Sequence, residues 1–391
     1  LRVAPRRALL AGAITASLGA AATLPFLASA DTGPDLVKVA AVTGGGTPIP
    51  GQYIVTMKGG ASPVDASRQV SANAKHFTGA VNAFAAKLDA RQLDRLRRDQ
   101  RVAAIEPDQI YKADTVQRSP LPWGLDRIDQ RTGRNKAYSY GWKGTGVTAY
   151  VIDSGIAANH PQFGGRAASV WVAPSLGGNG GDCAGHGTHV AGTIGSKLHG
   201  VAKNVRIRSL RVLDCEGNGS LSDVLGAINW LRTHAQRPAV ANLSLGGGKS
   251  NALNTALTNL SKSRVFVSVS AGNENQNACN TSPASAGWVE AVGATTVYDN
   301  RAGFSNHGKC VDIFAPGYGI TSTWPGGGQR SLSGTSMASP HVAGVAALIL
   351  SKWPNSTFPQ VQKWLSDYST KNRIGKLPRG TANKMLYKAN L

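Results

Sequence analysis

The chain has 391 residues, 41% hydrophobic and 16% charged, and its 42 Lys and Arg against 21 Asp and Glu give a formal charge of +21. This is too apolar for a disordered chain and too mixed for a membrane transporter, and the 47 glycines follow no collagen period. The charge admits nucleic acid, anionic surfaces or acidic polymers without selecting one, because it is spread along the chain with no run of five like charges.

In chain order, residues 1–30 read as an export signal. Arg2, Arg6 and Arg7 give a positive start, Ala8 to Leu27 is apolar and alanine-rich, and Ala28-Ser29-Ala30 is a small-residue cleavage site. Arg6-Arg7 leaves the twin-arginine route open beside the general one. No later stretch is long and apolar enough to span a membrane. Export makes Cys183, Cys215, Cys279 and Cys310 readable as two disulfides. Three connectivities are open at this point. Pairing in chain order would close two loops of about thirty residues, each stabilising by roughly 3–4 kcal/mol through the denatured state.

From Gly51 to Ala113 the pattern is that of a small α+β module. Gln52 to Met57, Val81 to Leu88 and Val102 to Glu106 read as strands. Val64 to about Ala74 reads as a helix, and Asp89 caps a second one with Leu93 and Leu96 inside and Arg95, Arg97 and Arg98 outside. The module carries no catalytic constellation. Its basic helix lacks interleaved aromatics, so nucleic acid is not expected as a partner.

From about Trp123 onward, strands alternate with amphipathic helices. Val147 to Ile152, Arg208 to Val212, Val240 to Leu245, Val265 to Ser270 and Val289 to Val292 suit buried parallel strands. The expectation is an α/β fold with helices on both faces and functional residues at the carboxyl ends of the strands. Asp153 directly follows Ile152. His186 stands in Gly185-His186-Gly187-Thr188-His189-Val190-Ala191-Gly192. Ser336 opens a long apolar helix in Gly334-Thr335-Ser336-Met337-Ala338-Ser339-Pro340-His341, with Pro340 expected in the first turn.

A serine hydroxyl is a weak nucleophile until a base takes its proton. An imidazole suits that task, and a carboxylate fixes its tautomer and stabilises its cation. Asp153, His186 and Ser336 supply one residue for each role. Their order, Asp, His, Ser, excludes the α/β-hydrolase arrangement, in which the serine comes first. Asn273, in Ala271-Gly272-Asn273, and the Ser336 backbone N–H are the expected oxyanion donors. A zinc site at Cys183, His186 and His189 would need a free cysteine, which export disfavours.

These four motifs together resemble the subtilisin family of serine peptidases, in its proteinase K branch and most nearly its secreted aqualysin-like enzymes. The resemblance spans about Ser119 onward, and Gly51 to Tyr111 is similar to the family's inhibitory propeptide. It implies a subtilisin-like parallel sheet preceded by a small ferredoxin-like α+β propeptide. With the export signal over 1–30, it implies a propeptide over 31–115, folded about 51–113, and a peptidase domain over 116–391. The propeptide would be an intramolecular inhibitor and folding aid, removed by self-cleavage between about Ala113 and Ser119.

The resemblance implies the pairs Cys183–Cys215 and Cys279–Cys310. It implies a primary pocket walled by Ser244-Leu245-Gly246 and Ser270-Ala271-Gly272, open to bulky apolar or aromatic side chains. It places substrate-pairing backbone at Gly219 and Ser220, with Leu221 narrowing the outer subsites. No cofactor is needed for the chemistry. One structural calcium is expected at Asp126, Asp129 and Gln130, although the loop after them carries Arg131 and Arg134, and Thr296 stands where proteinase K has a ligating Asp. The expected protein is a secreted, monomeric endopeptidase acting on protein substrates. Two other readings fit the same chain: a basic secreted binder of anionic polymers on a protease scaffold, and a processing peptidase with one partner.

Overall fold

The computed structural model describes residues 36–41, 47–71, 73–78, 81–110, 115–118 and 120–391. The export signal and most of the expected self-cleavage segment lie outside them. The chain divides into two compact units at Tyr111 and Lys112.

The first unit runs β1 (Thr47–Met57), α1 (Pro63–Arg68), β2 (Lys75–Phe77), β3 (Ala83–Lys87), α2 (Ala90–Arg98) and β4 (Val102–Ile110). Its antiparallel sheet has the order β2-β3-β1-β4, the ferredoxin-like arrangement. Asp89 caps α2 through a reciprocal bond with Gln92, so two otherwise orphaned N–H groups are satisfied. Val55, Phe84, Leu96 and Ile105 are fully buried or nearly so and form the core. One expectation fails here. The first helix stops at Arg68 instead of reaching Ala74, because Gln92 and Arg95 donate to the carbonyls of Val70 and Gln69 and hold that segment out of the helix. The residues after it form β2, which is too short to leave a periodic signal.

The second unit is built on β5 (Thr148–Asp153), β6 (Ala167–Val172), α3 (His186–Gly195), β7 (Arg206–Arg211), α4 (Leu221–His234), β8 (Ala239–Leu243), α5 (Asn251–Lys262), β9 (Val265–Ser270), β10 (Glu290–Thr295), β11 (Ile313–Pro316), α6 (Thr335–Lys352), α7 (Phe358–Tyr368), β12 (Thr370–Lys371) and β13 (Lys384–Met385). The nine-stranded sheet has the order β12-β13-β11-β10-β9-β8-β5-β7-β6. Every neighbouring pair is parallel except β12 and β13.

Alternation along each strand sorts side chains to opposite faces. Ala149 and Val151 join a core under α3, α6 and α7, while Tyr150 and Ile152 join a second core under α4 and α5. All six residues of β5 are buried, as a central strand covered by helices on both sides requires. Helix α6 is buried along most of its length, which explains why it is apolar all round. This arrangement puts the ends of β5, β8 and β9 beside the first turns of α3 and α6.

Candidate active site

Asp153 is the last residue of β5 and is 0% exposed. His186 is the first residue of α3. Its Nδ1 lies 2.8 Å from Asp153 Oδ1. An ionised carboxylate only accepts, so Nδ1 carries the proton and the neutral ring presents Nε2 as its bare acceptor. The same Asp153 oxygen accepts from the Ser154 N–H at 2.7 Å. Burial pushes the imidazole pKa down, but the charge and hydrogen bond of Asp153, with a further contribution from Asp182, outweigh it. The net shift is upward from 6.5.

Ser336 is the second residue of α6, where a backbone N–H has no intrahelical acceptor. Its hydroxyl donates to the Ser244 carbonyl at 3.1 Å. Among the described residues no hydrogen bond joins it to His186. Apo enzymes often hold such bonds open until substrate enters. Pro340 lies in the second turn of α6, not the first, so the Ser336 carbonyl has lost its i+4 donor. The Ser244 hydroxyl donates to that carbonyl at 2.8 Å and replaces it. Ser244 thus grips Ser336 from both sides.

Asn273 lies beyond the end of β9. Its side-chain oxygen accepts from the Thr335 N–H at 2.8 Å and the Thr335 hydroxyl at 2.9 Å. Thr335 in turn accepts from the Gly272 N–H at 3.1 Å. With its oxygen taken by donors, the amide of Asn273 is left with its NH₂ for another acceptor. That NH₂ lies at the Ser336 end of α6, since a Cβ built on Gly334 would stand 3.7 Å from it.

Two pockets meet at this point. One of about 420 Å³ is lined by Leu245, Gly246, Ser270, Gly272, Asn273 and Ser336, with Glu274 and Gln276 added. The other, about 750 Å³, holds His186, Ser244 and Gly219. Ala271 is fully buried and lines neither pocket. Ser220 stands between Gly219 and Leu221, which both line the larger pocket. It is the N-cap of α4, accepting from the Asp223 N–H, and Leu221 is the first helical residue. The chain bordering the cleft runs from Cys215 to Gly219 and includes Leu221, so it overlaps the expected edge. Glu274 had no motif to flag it. It reaches the pocket because Asn306 receives the Glu274 and Gln276 N–H groups and donates to the Glu274 carboxylate at 2.8 Å.

Cys183 is bonded to Cys215 and Cys279 to Cys310. The first bridge ties the loop before His186 to the segment bordering the larger pocket.

The expected calcium ligands do not fit a metal. Asp126 receives N–H groups from Gln130, Asn135 and Lys136 at 2.8–3.1 Å on a single oxygen. Asp129 receives the Ser139 N–H at 2.9 Å and the Lys388 ammonium at 3.0 Å. Lys388 is 2% exposed and also donates to the backbone oxygens of Ala389 and Leu391, each at 3.0 Å. A calcium needs six or more oxygens facing it, and here those oxygens face N–H donors. In the Thr296 loop, Asp299 is held by the buried Arg127 guanidinium at 2.6 and 3.0 Å. Asp129 and Asp299 each face a tethered cation, and Asp126 faces neutral N–H donors. Lys388→Met strips a buried carboxylate of its partner and should destabilise by about 3–5 kcal/mol, or roughly 6–20 °C of melting temperature. Any effect of EDTA on the melting temperature should be the same in wild type and Asp126→Asn, because this site holds no metal. Differential scanning of inhibitor-blocked protein checks both, and an EDTA-induced drop that Asp126→Asn abolishes would contradict this reading.

A parallel α/β domain that brings a buried carboxylate to an imidazole, and sets a serine at a helix start beside an amide donor, defines a serine hydrolase. The Subtilase family model matches residues 144–383, and the Peptidase inhibitor I9 model matches 52–114. The chain is 49% identical over 319 residues to an extracellular serine proteinase of Thermus sp. (strain Rt41A), covering 80% of this chain and 77% of that protein. It is 46% identical over 317 residues to alkaline serine exoprotease A of Vibrio alginolyticus, covering 80% of this chain and 59% of that one. A crystal structure of a cold adapted subtilisin-like serine proteinase matches with a TM-score of 0.68 at 49% identity, covering 69% of this chain and 99% of that one. The chain belongs to the subtilase family, with an I9 propeptide domain at its N-terminal side, and its activity class is serine endopeptidase.

Proposed function

We propose that the chain is a secreted, broad-specificity endopeptidase made as a self-cleaving zymogen, with a signal over 1–30, a propeptide over 31–115 and a peptidase domain over 116–391. Ser336 attacks the peptide carbonyl after its hydroxyl turns from Ser244 to His186. His186 takes the proton at Nε2 and returns it to the leaving amine. Asp153 keeps the imidazole in the right tautomer and stabilises its cation. Asn273 and the Ser336 N–H hold the oxyanion. The observation that carries this reading is the 2.8 Å bond from His186 to a fully buried carboxylate, which leaves Nε2 as the base.

The smaller pocket, walled by Leu245-Gly246 and Ser270-Gly272, admits a bulky apolar or aromatic side chain. Glu274 at the same pocket adds a carboxylate that a basic tip can reach. Substrate backbone pairs by strand addition with the chain bordering the cleft. The propeptide acts as intramolecular inhibitor and folding aid, and the mature enzyme works as a monomer. The chemistry needs no cofactor.

The test combines inhibition with a pH profile. A serine-directed phosphonylating inhibitor should stop casein digestion and add one adduct to the peptide containing Ser336. The base must be neutral to act, so activity is lost as His186 gains a proton. Its raised pKa therefore puts the acid limb of kcat/KM above pH 6.5, with activity sustained into alkali. A profile falling from pH 5 to 8, or an adduct elsewhere, would contradict the assignment.

A further inference from the structure

The geometry points to Asp182 as a positioning residue for His186: one carboxylate that ties the chain on both sides of the imidazole to the strand end carrying Asp153. This rests on the reading of His186 as the base and adds a residue to it.

Asp182 is the centre of four short bonds. Its Oδ1 accepts from the Gly185 N–H at 2.7 Å and the Ser154 hydroxyl at 2.9 Å. Its Oδ2 accepts from the Thr188 N–H at 2.8 Å and the Thr188 hydroxyl at 2.5 Å. Ser154 passes the link on by accepting from the Gly187 N–H at 3.0 Å, while its own N–H holds Asp153. Thr188 does likewise, accepting from the Ala157 N–H at 2.9 Å. Gly185 and Gly187 are the two neighbours of His186, so the imidazole hangs from a backbone fixed before and after it.

The fold depends on Asp182 at this place. The N-cap of α3 is Gly185, which has no side chain to satisfy the first-turn N–H groups. Gly185 adopts φ +87, and a Cβ there would stand 2.2 Å from the Trp324 ring, so a capping side chain cannot be placed at that position. A Cβ on Gly187 would stand 2.1 Å from the Gly155 carbonyl oxygen. The cap must come from elsewhere in the loop, and a carboxylate there also meets the positive end of the helix. The Cys183–Cys215 bridge anchors the residue next to it.

Among the described residues the groups near the imidazole include Arg211 of β7, which pairs in register with Asp153 and reaches the Cys183 sulfur at 3.3 Å. Asp153 lies on β5, Asp182 in the loop, and His189 one turn along α3, held neutral by burial with its pKa lowered to about 4. Glu216 lines the same cleft. Removing the Asp182 charge takes away one of the influences that raise the His186 pKa, so the acid limb reports that charge while kcat reports the position of the imidazole.

The experiment compares wild type, Asp182→Asn, Ser154→Ala and Ser336→Ala, each expressed as the full chain. Asp182→Asn keeps one accepting oxygen and loses the charge. Its kcat on a chromogenic peptide should fall about 10- to 100-fold, as expected when a reacting group is misplaced by a fraction of an ångström to an ångström. KM should stay within about two-fold, and the acid limb should move to lower pH. Ser154→Ala keeps the Asp182 charge and cuts the hydroxyl's links to Asp182 and to Gly187. Its kcat should fall several-fold with the acid limb in place, and it carries the test if Asp182→Asn fails to fold. Wild-type kcat and acid limb in Asp182→Asn would overturn the inference, as would wild-type kcat in Ser154→Ala, or a kcat loss matched by fewer inhibitor-titratable sites. A Ser336→Ala protein that still digests casein would instead overturn the underlying reading of the site.

Discussion

Ser336→Ala is expected to leave the precursor uncut and casein undigested. Intact mass of the purified protein, wild type beside variant, reads the first, and a casein assay reads the second. The wild type should be shortened by cleavage between about Ala113 and Ser119, and the variant should retain its propeptide. The loss of turnover should approach 10⁶-fold, a magnitude measured on subtilisin's own nucleophile and transferred to this chain. It is that large because the hydroxyl has no substitute. Ser339 lies three residues further along α6 and is fully buried, bonded to Asn242 at 2.7 Å. The variant should still fold, since the Ser244 hydroxyl holds the Ser336 carbonyl and not its side chain. Only the bond from Ser336 Oγ to the Ser244 carbonyl is lost, about 1 kcal/mol. A variant that matures unaided and digests casein would show that the chemistry runs through another group.

The parts of this site that the sequence disclosed are those whose chemistry is local. Asp153 was legible because a run of six strand-forming residues ends on it, and a parallel sheet presents strand ends to ligands. His186 and Ser336 were legible because each stands in a small-residue motif at a helix start. What stayed hidden depends on residues that meet only after folding. Asp182 looks like a loop acid until Gly185 proves unable to cap α3. Ser244 was expected as a pocket wall, and its grip on the Ser336 carbonyl follows from a proline one turn deeper in α6 than the sequence suggests. Glu274 enters the pocket through Asn306, which belongs to a different loop. The resemblance makes Asp129 a metal ligand, and only the fold shows that it faces Lys388, which is remote in the chain. In the fold, β11 escaped notice because its four residues end in proline, and β2 because three residues carry no period.

Asn273 is the second residue whose replacement should cost most, and its two roles can be separated. Its carbonyl oxygen caps α6 through Thr335, and its NH₂ is the proposed oxyanion donor. Asn273→Ala removes both. Turnover should fall about 10²–10³-fold, a range measured on subtilisin's oxyanion-hole asparagine, while KM changes little because the donor acts on charge that exists only in the transition state. The lost cap should also lower stability by about 1 kcal/mol. Asn273→Asp keeps an oxygen where Thr335 donates, so the cap and the melting temperature should survive. It replaces the NH₂ with a second, negatively charged oxygen beside the developing oxyanion. Its turnover should therefore fall at least as far as that of Asn273→Ala. Steady-state kinetics on a peptide substrate and thermal unfolding of the inhibited protein read the two effects independently. If Asn273→Asp retained wild-type kcat, the oxyanion would have to be held by the Ser336 N–H and the positive end of α6 alone, and Asn273 would be a helix cap and nothing more.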